Sequence, residues 1–182
     1  MHAAGIGEQP ETIASLVPLA AAGDGAAFAH IVAACHADMA RVAYVICGGD
    51  REVAQDALQS TWTIAWSRLR TLRDPQRICS WLMSVTASEA RQLMHDQGHA
   101  AAVRLEFAGE GMAIPDPAGP ADAVDVATVL RRLSPEDRTL VALHYAVGYD
   151  AREIGAVLGI PASRVGQRLE QLLDRVRDSV EA

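Results

Sequence analysis

Apolar residues recur at three- and four-residue steps over three stretches in the first half of the chain. Residues 26–46 bring Ile31, Cys35, Val42, Val45 and Ile46 toward one face. Residues 50–69, which follow the pair Gly48-Gly49, repeat Val53, Ala57, Thr61, Ile64 and Ala65. Residues 78–94 carry Leu82, Val85, Glu89 and Leu93, with Trp81 beside them. This period predicts amphipathic helices. Asp74-Pro75 separates the second from the third and places a proline where a helix can start.

The second half has shorter helices and sharper punctuation. A short helix is predicted over 123–133, followed by Ser134-Pro135-Glu136-Asp137. There Ser134 can cap the next helix, Pro135 suits its first position, and the two acids face the positive end of its dipole. That helix should run to about Tyr145 and stop near Gly148. Asp150, three residues before Glu153, opens another helix in the manner of a capping box. Gly159 ends it in the left-handed conformation a C-cap needs. Pro161 and Ser163 open a last helix that extends to about Val180. Between the halves, residues 109–121 read GEGMAIPDPAGPA, which suits neither helix nor strand.

The expected architecture is therefore all-α: a three-helix unit over 17–95, a flexible linker over 96–122 and a helical unit over 123–182. A disordered tail is expected over 1–16. Composition supports helices over sheets, because half the residues are apolar but only 4% are aromatic, leaving few strong strand formers. No apolar run reaches the roughly 18 residues a bilayer span requires. The first residues lack the basic start and apolar stretch of a signal peptide. Three cysteines, Cys35, Cys47 and Cys79, make no closed disulfide set and lack zinc-site spacing. These features point to a cytoplasmic protein without membrane insertion.

All sixteen basic residues are arginine, and the net charge is −7. Net charge alone argues against a simple nucleic-acid binder. The imbalance is local, however: the stretches 17–95 and 124–180 are each neutral, while 96–123 holds one arginine against five acids. Two neutral blocks are joined by an acidic strip.

Residues 150–173, DAREIGAVLGIPASRVGQRLEQLL, have the organisation of a helix-turn-helix. Ile154, Val157 and Leu158 should pack on Ile160, Val165 and Leu169. Ser163, Arg164, Gln167 and Arg168 are left on the outer face of the second helix, where such a motif reaches base edges or phosphates. An ordinary αα-hairpin has the same outline. Elsewhere, Asp56 and Gln59 lie three apart and share a helix face. Arg68, Arg70, Arg73 and Arg77 form the most basic window of the chain, suited to phosphate or to stacking on bases but also to plain solvation. Trp62, Trp66 and Trp81 are expected as a core cluster joining two helices. Cys35 and His36 are adjacent and cannot share a helix face, so with His30 they make a poor metal site. No nucleophile elbow, Walker loop, HExxH or paired-carboxylate motif is present, and neither an enzyme activity nor a cofactor is expected.

GYDAREIGAVLGIPASRVGQRL, preceded by LRRLSPEDRTLVALHYAV, resembles region 4 of the extracytoplasmic-function (ECF) sigma factors. GDGAAFAHIVAACHADMARVAYVICGGD resembles the opening of their region 2. AQDALQSTWTIAW, residues 54–66, resembles the segment that grips the RNA polymerase core, and SWLMSVTASEARQL, residues 80–93, the segment that melts and reads the upstream promoter element. The resemblance spans roughly 25–178 in order. It implies a promoter-specificity subunit whose partners are RNA polymerase core, promoter DNA and an anti-sigma factor. By resemblance, Asp56 and Gln59 face the polymerase clamp, and Arg68, Arg70, Arg73 and Arg77 surround the loop that captures an extruded minus-ten base. Ser88 and Arg91 fall in the promoter-reading helix, and Ser163, Arg164, Gln167 and Arg168 in the minus-thirty-five recognition helix. The acidic linker implies a tether threading the polymerase interior.

Two stretches depart from the family's pattern. After the region 2 helix, where arginines usually follow, the chain reads Met94-His95-Asp96-Gln97-Gly98-His99. The last helix carries Glu170, Gln171 and Asp174, with Gly166 where lysine is common. Each lost phosphate contact removes a counterion-release contribution to affinity. A second expectation follows: a sigma-like interaction protein that binds polymerase or an anti-sigma factor with little promoter binding. An all-helical enzyme or ligand-binding bundle ranks last.

Overall fold

The computed structural model describes residues 12–108 and 130–181, which are helical and contain no strand. Helix α1 (Ile13–Ala21) buries Leu16, Val17 and Ala20, and packs against α2 (Gly25–Ile46). The α2 N-terminus is capped by Asp24, whose carboxylate accepts from the amides of Ala26 and Ala27. The turn after α2 places Gly48 and Gly49 at φ +66° and +87°, a region closed to most side chains. Asp50 then caps α3 (Arg51–Arg68) by accepting from Glu52 and Val53. Two short 3-10 turns, Leu69–Thr71 and Pro75–Arg77, lead into α4 (Ile78–Ala108).

Helices α2, α3 and α4 pack on one another. Ala43, Ala57, Ala65, Ala87 and Ala90 are fully buried between them, with Ile31, Met39, Val42, Ile46 and Leu82 filling the remaining space. Buried Thr61 and Thr86 each donate to the carbonyl four residues earlier in their own helix, so neither hydroxyl is left unpaired. Small residues let the helix axes approach closely, which is how a chain so poor in aromatics builds a dense interior.

In the C-terminal part, α5 (Pro135–Val141) starts as its sequence predicts: Ser134 accepts from the Asp137 amide and Pro135 occupies the first turn. The helix continues through a π-type turn, Ala142–Ala146, that buries Ala142 and Leu143. Helix α6 (Ala151–Leu158) has a complete capping box. Asp150 accepts from Arg152 and Glu153, and Glu153 accepts from the Asp150 amide. Gly159 follows at φ +70°, and α7 (Ala162–Glu181) completes the helix-turn-helix.

Two expectations change, and a third point, the arrangement of the two blocks, is one the sequence leaves open. Residues 13–16, placed in the disordered tail, belong to α1; residues 1–11 lie outside the described residues. Helix α4 runs on to Ala108, beyond the start expected for the linker at 96. Between 96 and 108 only Gly98 disfavours helix and no proline interrupts the hydrogen-bond ladder. Residues 109–122, and 123–129 of the helix expected over 123–133, lie outside the described residues, whereas 130–132 are helical. Third, the two blocks pack together: Leu140, Leu143, Ile154, Val165, Leu169 and Leu172 share one buried cluster with the interior of α1–α4. Helix α5 and its π-type turn rest on α2, and α6 rests on α4.

Candidate nucleic-acid and polymerase interface

The turn of the helix-turn-helix is tied by backbone. The amides of Gly159 and Ile160 both donate to the Gly155 carbonyl, and Val165 and Ile154 are fully buried beneath. This fixes which residues of α7 face outward. Ser163, Arg164 and Gln167 are exposed, as their spacing predicts.

Arg168 is engaged differently. Its Nε and Nη2 donate to the two carboxylate oxygens of Asp137 at 2.7 and 3.0 Å, and Arg175 adds a third bond at 3.0 Å. Asp137 is 3% exposed, against 45% and 53% for the two arginines. Arg168 therefore braces α7 against the first turn of α5, and its fork is occupied. The side chain nonetheless remains about half exposed on the outer side of α7. Asp137 and Arg175 did not stand out in the sequence, because only the folded chain brings positions 31 and 38 residues apart into contact.

Burial raises the proton affinity of the Asp137 carboxyl, but the hydrogen bonds from Arg168 and Arg175 outweigh it and hold the group below its usual range. A depressed carboxylate stabilises the fold above its unfolded value, about 3.9, and loses that contribution as pH falls through the folded value. Asp137→Asn is therefore expected to cost about 1–2 kcal/mol near neutral pH, a figure discounted because both arginines are half exposed. The difference from wild type should shrink below about pH 4. Urea unfolding of both proteins across this range checks it; a pH-independent difference would mean that the carboxylate charge does not matter.

Arg91 belongs to the same place. It donates from Nε to the Ala87 carbonyl at 3.0 Å and, with Arg164, Gln167, Arg168 and Glu136, lines an open cavity of about 480 Å³ between α4 and the helix-turn-helix. Residues expected in two separate DNA-contacting faces thus border one gap.

Arg68 and Arg70 are exposed. Arg73 and Arg77 edge a second groove together with Asp74, Trp81 and Ala156 of α6. Asp74 accepts from the Gln76 amide and so caps the short turn that leads to α4. Ser88 is exposed. Asp56 and Gln59 are exposed on α3 and share a surface groove with Thr63 and with Glu89 of α4.

The tryptophans do not form the expected cluster. Trp62 and Trp66 pack edge-on against Phe28, at centroid distances of 6.0 and 4.9 Å, so they join α3 to α2. Trp66 is 49% exposed. Trp81 stands apart at the groove beside α6. Phe28, three residues before Ile31, continues the apolar face of α2 toward its N-terminus, but nothing local in the sequence shows that Trp62 and Trp66 come to it.

Comparison with known proteins agrees with this geometry. Residues 123–176 match the sequence family described as Sigma-70, region 4. The chain is 31% identical over 129 residues to the RNA polymerase sigma factor CarQ of Myxococcus xanthus, a match covering 69% of this chain and 74% of that protein. It is 27% identical over 172 residues to the probable RNA polymerase sigma factor RfaY of Xanthomonas campestris pv. campestris. That match covers 90% of this chain, which spans only 43% of RfaY. Among solved structures it is similar to CnrH in complex with the cytosolic domain of CnrY, with a TM-score of 0.71, 26% identity, and coverage of 94% and 98% of the two chains. It also shares the fold of the sigma factor RpoE of Bartonella quintana, solved with the anti-sigma factor NepR, with a TM-score of 0.67, 19% identity, and coverage of 85% and 97%. A region 4 helix-turn-helix, packed on a helical block in the order that the ECF resemblance implied, places this chain in the family of RNA polymerase sigma factors.

Proposed function

We propose that the chain acts as an ECF-type sigma factor that binds RNA polymerase core and directs it to promoters. The observation that carries this reading is the helix-turn-helix, its first helix capped by the Asp150–Glu153 box and its second presenting Ser163, Arg164 and Gln167 to solvent. Side chains at the start of a second helix are those a major groove admits. Asp56 and Gln59 on the exposed face of α3 supply the docking surface for polymerase in this reading. The reading assigns the chain no catalytic step and no cofactor. No helix among the described residues is long and apolar enough to cross a membrane, which fits work on polymerase in the cytoplasm. An anti-sigma factor is a further proposed partner, supported by the two structural relatives, which were solved with CnrY and with NepR.

A second reading is favoured by one observation: Arg168 is committed to Asp137, and Arg164 and Gln167 border a gap facing α4. A chain that kept this closed arrangement on polymerase would occupy core without reading DNA. Tethered modules need little affinity each, so weak grip alone does not decide the matter.

Run-off transcription with purified core polymerase separates the two readings. A sigma factor yields promoter-dependent product, and Arg164→Glu lowers that product at least about tenfold, since reversing one groove-facing charge costs more than a single lost contact. Retention on core stays unchanged. Retention on core without product would identify a decoy, and failure to bind core at all would overturn both readings. Arg168→Glu is the poorer test, because it would set two carboxylates against each other at Asp137.

A further inference from the structure

Cys35 lies in the middle of α2 and Cys79 in the first turn of α4, and their Sγ atoms are 3.5 Å apart. They are 44 residues apart in sequence, so their meeting is a product of the α2–α4 packing. Cys35 is buried, whereas Cys79 is partly open to solvent. Among the described residues no group of three or more His, Cys, Asp or Glu side chains could hold a metal, so the pair is not part of a metal site there.

We infer that Cys35 and Cys79 form a two-electron thiol–disulfide couple, oxidised by hydroperoxides, that pins the start of α4 to α2. The sulfurs need to approach by about 1.5 Å to reach the S–S bond length of about 2.05 Å, a distance within the reach of side-chain rotation. The partly exposed Cys79 is the attacking group. Its thiolate sulfur attacks one oxygen of the peroxide and the O–O bond breaks. The other oxygen leaves and takes up a proton, as water in the case of hydrogen peroxide, and Cys79 becomes a sulfenic acid. Cys35 sulfur then attacks the Cys79 sulfur, the S–O bond breaks, and hydroxide leaves with the Cys35 proton as a second water. Two thiols have lost two electrons and two protons; the peroxide has gained both.

The surroundings support this assignment of roles. The hydrogen bond from Cys35 brings the Cys79 thiol down to about 7, against burial and the nearby Asp38 carboxylate, which push it up. Cys35 moves upward, as the group that keeps its proton in that hydrogen bond. Cys47 is the internal contrast: it is buried, and burial pushes its thiol up to about 11, the condition of an inert core thiol. Cys79 lies two residues after Arg77, where the preceding turn ends. Oxidation therefore anchors the arginine-bearing segment 68–77 at its C-terminal end.

The couple is tested on the full chain, reduced and then exposed to a few equivalents of hydrogen peroxide. The intact mass should fall by about 2 Da, the mass of two hydrogens lost on forming one disulfide. Peptide mapping should join the Cys35 and Cys79 peptides, with Cys47 still open to alkylation after unfolding. Cys35→Ser should lose the mass decrease and instead give a dimedone adduct on Cys79; Cys79→Ser should give neither. Cys35→Ala repeats the first variant without adding a buried hydroxyl. Unchanged mass in the wild-type protein, a linkage through Cys47, or disulfides only between molecules would overturn the inference. None of these readouts depends on polymerase or DNA.

Discussion

Gly155→Ala is expected to lower the unfolding free energy by about 2–4 kcal/mol, with the helix-turn-helix opening before the rest of the chain. Gly155 is buried in the middle of α6, and a Cβ there would lie 2.6 Å from the Ile160 carbonyl oxygen and 3.4 Å from the Ala162 amide nitrogen. Both obstacles are backbone, so neither can swing aside as a side chain would. The chain could make room only by moving Ile160 and Ala162. That would break the bonds from Gly159 and Ile160 to the Gly155 carbonyl and tilt α7 away from Val165 and Leu169. Gly166 is the control within the same motif. Nothing lies within 4 Å of a Cβ placed there, so Gly166→Ala should hold stability or raise it by up to about 1 kcal/mol. Urea unfolding followed by circular dichroism measures both. Equal effects at the two glycines would mean that close backbone approach is not what position 155 demands.

The contrast between these glycines shows what was legible in the sequence. Gly159 could be read as a left-handed cap because its role depends only on the residues beside it, and the same holds for the Asp150–Glu153 box and for Ser134-Pro135. Gly155 needs a close approach made by residues five and seven positions on, after the chain has turned, and no local pattern announces that. Helix α1 was missed for a related reason. Pro18 stands inside it, and Ile13, Leu16, Val17 and Ala20 give only about two turns of apolar repeat before Gly23. The outward set on α7 was found from periodicity. Periodicity could not show that Arg168 turns sideways to Asp137, since that depends on where α5 lies. The packing of the two blocks against each other was likewise invisible, because apolar residues on α5 and α6 could have been satisfied within their own unit.

That packing leads to the second large effect. Arg138 of α5 is 5% exposed, and its Nε is buried without a hydrogen-bond partner. The guanidinium rests against the turn at Gly48, where a Cβ would run into Nη1. Burial pulls its proton affinity downward against the opposing influence of Cys47 and Glu136. A buried donor left unpaired costs about 1–3 kcal/mol, and apolar replacements of buried charges often stabilise by a similar amount. Arg138→Met keeps most of the aliphatic volume and removes the unpaired group, so it should raise the unfolding free energy by about 1–3 kcal/mol. Gly48→Ala acts in the opposite direction, for it adds about 1–2 kcal/mol of left-handed strain and then collides with the guanidinium. In the Arg138→Met background the collision is relieved by the more pliable thioether chain, and only the backbone strain remains. A double-mutant cycle should therefore show coupling of about 1 kcal/mol or more between the two positions. Additive changes would separate Arg138 from the turn, and a destabilised Arg138→Met would mean that the guanidinium finds partners in solution.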